Sequence, residues 1–118
     1  MMRLIWKTCN KGSWCSFLSV NLDHTHFNGL EGVYIIWQGG GPIIRVGQGI
    51  IRERLSAHRE DKAITSCGNL FVTWAAIPFQ SNRDGIERYL ATRLKPRTGN
   101  EFPNVDPIIV NLPWSYSK

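Results

Sequence analysis

No apolar run in this 118-residue chain is long enough to span a bilayer, so no membrane helix is expected. The N-terminal stretch MMRLIWKTCNKGSW lacks the apolar core of a signal peptide, and none is expected. Cysteine is scarce. Cys9, Cys15 and Cys67 are an odd set, which fits reduced thiols in the cytoplasm better than a secreted disulfide framework. Internal repeats, low-complexity tracts and Pro/Gly/Ser linkers are absent, so one domain is expected over residues 1–118. Acidic residues are outnumbered, 9 against 14 Lys and Arg, for a net charge of +5. That excess favours an anionic partner, nucleic acid ahead of an acidic membrane or protein. A 42% hydrophobic and 19% charged composition is that of a globular chain, and this length can bury a core without metals or disulfides.

Residues 32–38 (GVYIIWQ) and 42–48 (PIIRVGQ) are β-branched and aromatic and flank a Gly-Gly-Gly run, a strong hairpin signal. With Gly39 and Gly40 as a two-residue turn, Ile35 faces Ile44, Val33 faces Val46 and Tyr34 faces Arg45. Residues 14–22 carry Leu18, Val20 and Leu22 at period two and read as a strand; residues 69–78 read as another. Residues 49–61 read as a helix with Ile51 and Leu55 on the buried stripe and Arg54 and His58 beside it. Residues 81–96 read as a second helix, with Asp84 as N-cap, Ile86, Leu90 and Leu94 as the stripe, Glu87 next to it and Pro96 as its end. Residues 1–13 read as a loose arm, and the last stretch offers at most a short strand at 108–110. The order implies an α+β domain: a small antiparallel sheet of three to four strands flanked by helices.

The strand-to-helix corner at 45–59 concentrates Arg45, Arg52, Arg54, Arg59 and His58 against the single carboxylate Glu53. A phosphate site explains this as well as a solvated surface does, because guanidinium offers a planar fork to phosphate oxygens. Here the sequence resembles the GIY-YIG nuclease family. Gly32-Val33-Tyr34, ten residues, then Arg45-Val46-Gly47 match its two-part signature. Arg54 and His58 on the next helix, Glu87 on a later one, then Lys95-Pro96 and Asn100 follow in the family's order, over roughly residues 30–105. Two positions depart: Arg45 stands where the family usually has Tyr, and Arg54 comes one residue early.

The resemblance implies a GIY-YIG-like fold and a divalent-metal-dependent endonuclease acting on DNA, structured or branched DNA included. It implies Glu87 as ligand to Mg²⁺ or Mn²⁺ and Tyr34 as the group that takes the proton of the attacking water, directly or as a phenolate made more acidic by nearby cations. Arg54 would stabilise the phosphorane, His58 would position water or phosphate, and Arg45 would add a second cation. Gly32, Gly47, Lys95 and Asn100 would line the substrate. The alternative is a GIY-YIG-like module that binds nucleic acid without cutting it, kept open by Arg45. A plain interaction domain is the third reading.

Taken singly, these residues have ordinary explanations. Tyr34 would be a half-buried strand aromatic, His58 a surface helix histidine, and Glu87 a solvated carboxylate paired with Arg83 or Arg88. Arg52, Arg59, Arg88, Arg93, Lys95 and Arg97 read as a solvated or DNA-facing surface. Cys9, Cys15, His24 and His26 form C-x5-C-x8-H-x-H, not a standard zinc spacing. Trp6, Trp14, Trp37, Trp74 and Trp114 read mainly as packing residues, although one exposed beside a basic groove would stack a base.

Overall fold

The computed structural model describes residues 1–114. In chain order these form β1 (Cys15–Ser16), β2 (Glu31–Gln38), β3 (Ile43–Ile50), α1 (Ile51–Arg59), α2 (Lys62–Thr65), β4 (Leu70–Ala76) and α3 (Gln80–Leu94), with two short 3₁₀ turns before β2. The strands make one antiparallel sheet in the order β1-β4-β2-β3. The α+β expectation is met, with four strands and three α-helices.

Both faces of the sheet are covered, and β2 shows why. Its alternate residues serve two cores, each fully buried. Tyr34 and Ile36 join Ile44, Ile51, Leu55 and Ile64, so α1 and α2 close that face. Val33 and Ile35 join Val46, Ile86, Leu90 and Leu94, so α3 closes the other. The helices α1 and α3 therefore lie on opposite faces of the sheet, and both pack on its edge strand β3.

The hairpin register differs from the two-residue-turn expectation. Gln38 N–H donates to the Pro42 carbonyl at 3.0 Å, Gly40 takes φ +69°, and a bulge falls between Ile36 and Trp37. Pro42 has no N–H to return a ladder bond, so the turn is longer than two residues. Tyr34 consequently faces Gly47, and Arg45 faces Ile36.

Other expectations are corrected as well. The strand at 14–22 stops at Ser16. Phe17 and Leu22 are the buried residues there, whereas Leu18 is 55% exposed, so the period-two pattern was not a sheet face. Asp84 is not the N-cap of α3, which starts four residues earlier; Arg83 gathers the carbonyls of Ile77 and Pro78 at its start. The 1–13 segment is docked: Met2 bridges Val110 in parallel, Asn111 bonds Leu4 through both side-chain atoms, and Lys7 N–H donates to Trp74. The 108–110 strand reduces to that bridge.

Cys9 and Cys15 form a disulfide and Cys67 is free. This overturns the expectation of three reduced thiols and removes the cysteine argument for a reducing compartment. Among the described residues no helix is long and apolar enough to cross a membrane.

Candidate active site

The four arginines of the 45–59 corner divide into two pairs. Arg52 donates to the carbonyls of Leu22 and His24 and to Asn28 Oδ1, at 2.7, 3.0 and 2.9 Å. Arg59 donates to the carbonyls of Phe17 and Val20 and lies over the Phe17 ring. Both clamp the irregular 17–28 segment to α1, so neither is the loosely solvated or DNA-facing residue the sequence suggested. Arg45 and Arg54 are the opposite case. Each is only partly exposed, and the Nε of each is buried without a hydrogen-bond partner. Such an orphan donor costs about 1–3 kcal/mol, more on a charged group.

Glycines set both guanidinium stems in place. Gly49 has φ +133°, and a Cβ there would lie 3.3 Å from Arg54 Cγ. Gly99 has φ +80°, and a Cβ there would lie 2.8 Å from Arg45 Nη1. The 97–99 segment reaches this position by bonding along β3: Arg97 and Thr98 donate their N–H groups to the carbonyls of Ile43 and Ile44.

Tyr34 points from β2 towards α1, and its hydroxyl is 2.6 Å from His58 Nε2. Tyr34 is fully buried and His58 is 5% exposed. Burial pushes His58 down to about 4, helped by the charges of Arg45 and Arg54 and opposed by Asp61. The ring is therefore neutral at pH 7, and in the tautomer that carries its proton on Nδ1 the Nε2 accepts the phenolic proton. Burial also raises the Tyr34 phenol, against a hydrogen bond and charge from Arg54 and the charge of Arg45. That direction corrects the expected acidified phenolate: desolvation outweighs the two cations. Glu87 on α3 is pushed up to about 7, first by burial, with Asp84 adding to the rise and Arg45, Arg54 and Gln48 opposing it. Tyr34, Arg45, Arg54, His58 and Glu87 are thus electrostatically coupled across the edge of β3.

Three members of the cluster's surroundings were not legible beforehand. Gln48 donates to Asp84 Oδ1 at 2.9 Å and accepts from Arg83 Nε at 3.0 Å. Arg83, 7% exposed, also pairs with Glu31 at 3.4 Å. The partner of Arg83 is therefore Glu31, not Glu87 as the ordinary explanation of that carboxylate had it. Asp84 stands one turn before Glu87 on the same side of α3.

The glycines of the two triplets face the protein itself. A Cβ at Gly32 would run into the Ala75 carbonyl of β4, and one at Gly47 into the Tyr34 hydroxyl. Lys95 is exposed in the left-handed residue that ends α3, and Asn100 is exposed one residue beyond Gly99. The improbable zinc set does not assemble: Cys9 and Cys15 are joined, and His26 Nε2 accepts from Trp74 at 3.0 Å. Among the described residues no group of three or more His, Cys, Asp or Glu side chains could hold a metal ion by itself. No family model matches the chain, and no curated protein or solved structure matches it.

Proposed function

We propose that the chain is a divalent-metal-dependent endonuclease that hydrolyses DNA phosphodiester bonds in the manner of the GIY-YIG nucleases its motifs resemble. The observation that carries this reading is the meeting of five residues, picked from an ordered sequence motif, in one cluster with two unpaired buried arginine donors. A phosphodiester supplies the acceptors that Arg45 Nε and Arg54 Nε lack. Fourteen Lys and Arg residues in the chain suit the same polyanion.

The donor set also fits a hard cation held jointly by protein, water and substrate. Mg²⁺ keeps several waters and needs only one or two carboxylates beside a phosphate. Glu87, with Asp84 one turn away, offers those carboxylates, and Mn²⁺ would serve there too. When bound, the ion neutralises charge developing on the phosphate oxygens.

The remaining steps belong to the chain. A water attacks phosphorus and gives its proton to Tyr34 Oη, while Tyr34 passes its own proton to neutral His58 Nε2. Tyr34 never becomes a free phenolate, which its raised pKa disfavours. Arg45 and Arg54 bond the non-bridging oxygens as their charge grows, and the leaving 3′ oxygen takes a proton from solvent.

The complete burial of Tyr34 favours a second reading, binding without hydrolysis, in which the Tyr34–His58 pair is structural. Nicking of supercoiled plasmid separates the two. Metal-dependent nicking that EDTA abolishes and that is lost in Glu87→Ala supports hydrolysis. Salt-sensitive binding without nicking, equal in both proteins, supports the second reading.

A further inference from the structure

A cavity lies at the hairpin end of the sheet. It measures about 480 Å³ and is lined by Trp14, Trp37, Trp114, Lys95 and Arg97. The three indoles form one assembly. Trp14 meets Trp37 edge-on at 5.5 Å, and Trp114 lies 4.9 Å from Trp37 at a tilted angle. Phe71 stacks behind Trp37 at 5.9 Å and 28°. All three indoles remain partly exposed, and the two cations beside them are exposed.

Three aromatic rings opening on a cavity flanked only by positive charge suit a flat aromatic group carrying anionic neighbours. A cationic ligand is disfavoured by Lys95 and Arg97. The cavity also shares its wall with the candidate active site. Ile43 lines it, and Arg45 follows two positions later on β3, beyond the bulge that sets Ile43 opposite Trp37 and Arg45 opposite Ile36. Residues 97–99 run beside that same stretch of β3, from Arg97 at the cavity to Gly99 beneath Arg45.

We infer that this cavity takes an unpaired nucleobase of the DNA substrate, stacked on the Trp14–Trp37–Trp114 assembly, with its flanking phosphates on Lys95 and Arg97. The inference rests on the DNA-cleaving reading and adds a substrate class to it: DNA carrying an unpaired nucleotide near the scissile phosphate.

The test is binding, measured by anisotropy of a labelled strand in EDTA. The two ligands are a short DNA duplex and the same duplex with a central two-nucleotide bulge. Wild type should prefer the bulged duplex by about tenfold, within the range of base–aromatic stacking. Trp114→Leu should lose that preference while its affinity for paired duplex stays within about threefold of wild type. Lys95→Gln/Arg97→Ala should weaken both complexes and flatten the salt dependence by about two phosphate contacts. Tryptophan emission of the wild type, quenched more by bulged than by paired duplex, reads the same contact without any variant. Equal wild-type affinity for both ligands, equal quenching, or a preference retained in a folded Trp114→Leu protein overturns the base pocket and leaves DNA binding standing. Failure to bind either DNA overturns the DNA-cleaving reading together with it.

Discussion

Gly47→Ala probes the geometry on which the candidate site depends. Gly47 faces Tyr34 across the β2–β3 pair, and a Cβ at Gly47 would lie 2.5 Å from Tyr34 Cζ and 3.0 Å from Cε2. Those are ring atoms of a fully buried side chain, not the end of a flexible one, so the ring must move. Overpacking of this kind costs about 1–3 kcal/mol. Displacing the ring also breaks the 2.6 Å contact with His58 and leaves a buried polar atom unpaired, for about 1–3 kcal/mol more. A total of roughly 2–6 kcal/mol is below the whole stability of most domains, so the variant should still fold. At about 4 °C per kcal/mol the melting temperature should fall by roughly 8–24 °C. Thermal denaturation followed by circular dichroism measures it. Removing the hydroxyl gives the control: Gly47→Ala should cost less in a Tyr34→Phe background than in wild type, because the closest clashing atom is gone. A loss below about 1 kcal/mol, or full additivity of the two substitutions, would show that Tyr34 does not fill the space Gly47 leaves.

Arg52 and Arg54, two residues apart, should behave differently in the same melting assay. Arg52→Ala removes three hydrogen bonds to the 22–28 segment and should lower stability by about 1–3 kcal/mol. Arg54→Ala removes a buried orphan Nε together with a hydrogen bond to Tyr34; the two offset, so stability should stay about equal while nicking is abolished. The pH dependence of stability, read from urea midpoints, should be nearly flat in wild type between pH 4.5 and 6.5. His58, at about 4 folded and 6.5 unfolded, makes stability rise with pH across that interval by up to about 3 kcal/mol. Glu87, at about 7 folded and 4.5 unfolded, makes it fall as pH rises from 4.5 to 7. Glu87→Gln should therefore expose a steep rise with pH; an unchanged profile would contradict the burial of Glu87. Thiol titration of denatured, unreduced protein should count Cys67 alone, and a count of three would contradict the Cys9–Cys15 bond.

The central elements were legible because their signals are local. Two β-branched runs around three glycines announce a hairpin, and Ile51 with Leu55, or Ile86 with Leu90 and Leu94, announce a helix stripe. The errors lie where distant partners decide. Residues 14–22 alternate like a strand, but pairing with β4 stops at Ser16 apart from one bond from Phe17 N–H to the Leu70 carbonyl, and Leu18 turns to solvent. The N-terminal arm looked featureless because its order comes from Asn111, more than a hundred positions away. The hairpin register turned on Pro42, which withholds one N–H. At the candidate site, the ordered motif picked out Tyr34, Arg45, Arg54, His58 and Glu87, whereas Gln48 and Arg83 meet across 35 residues, a contact that no spacing reveals. The division of labour among the four arginines was equally hidden, since it depends on which carbonyls of the 17–28 segment come within reach.

The most direct test of the account is single-turnover cleavage of DNA under saturating protein, with affinity measured on the same samples, for wild type, Glu87→Gln and Arg54→Ala. The account predicts metal-dependent cleavage by wild type. It predicts a loss of about a hundredfold or more in each variant, the scale of removing one transition-state donor. Affinity for the DNA should change far less than the rate. Tight, salt-sensitive binding by all three proteins with no cleavage by any of them would contradict it and leave a binding module.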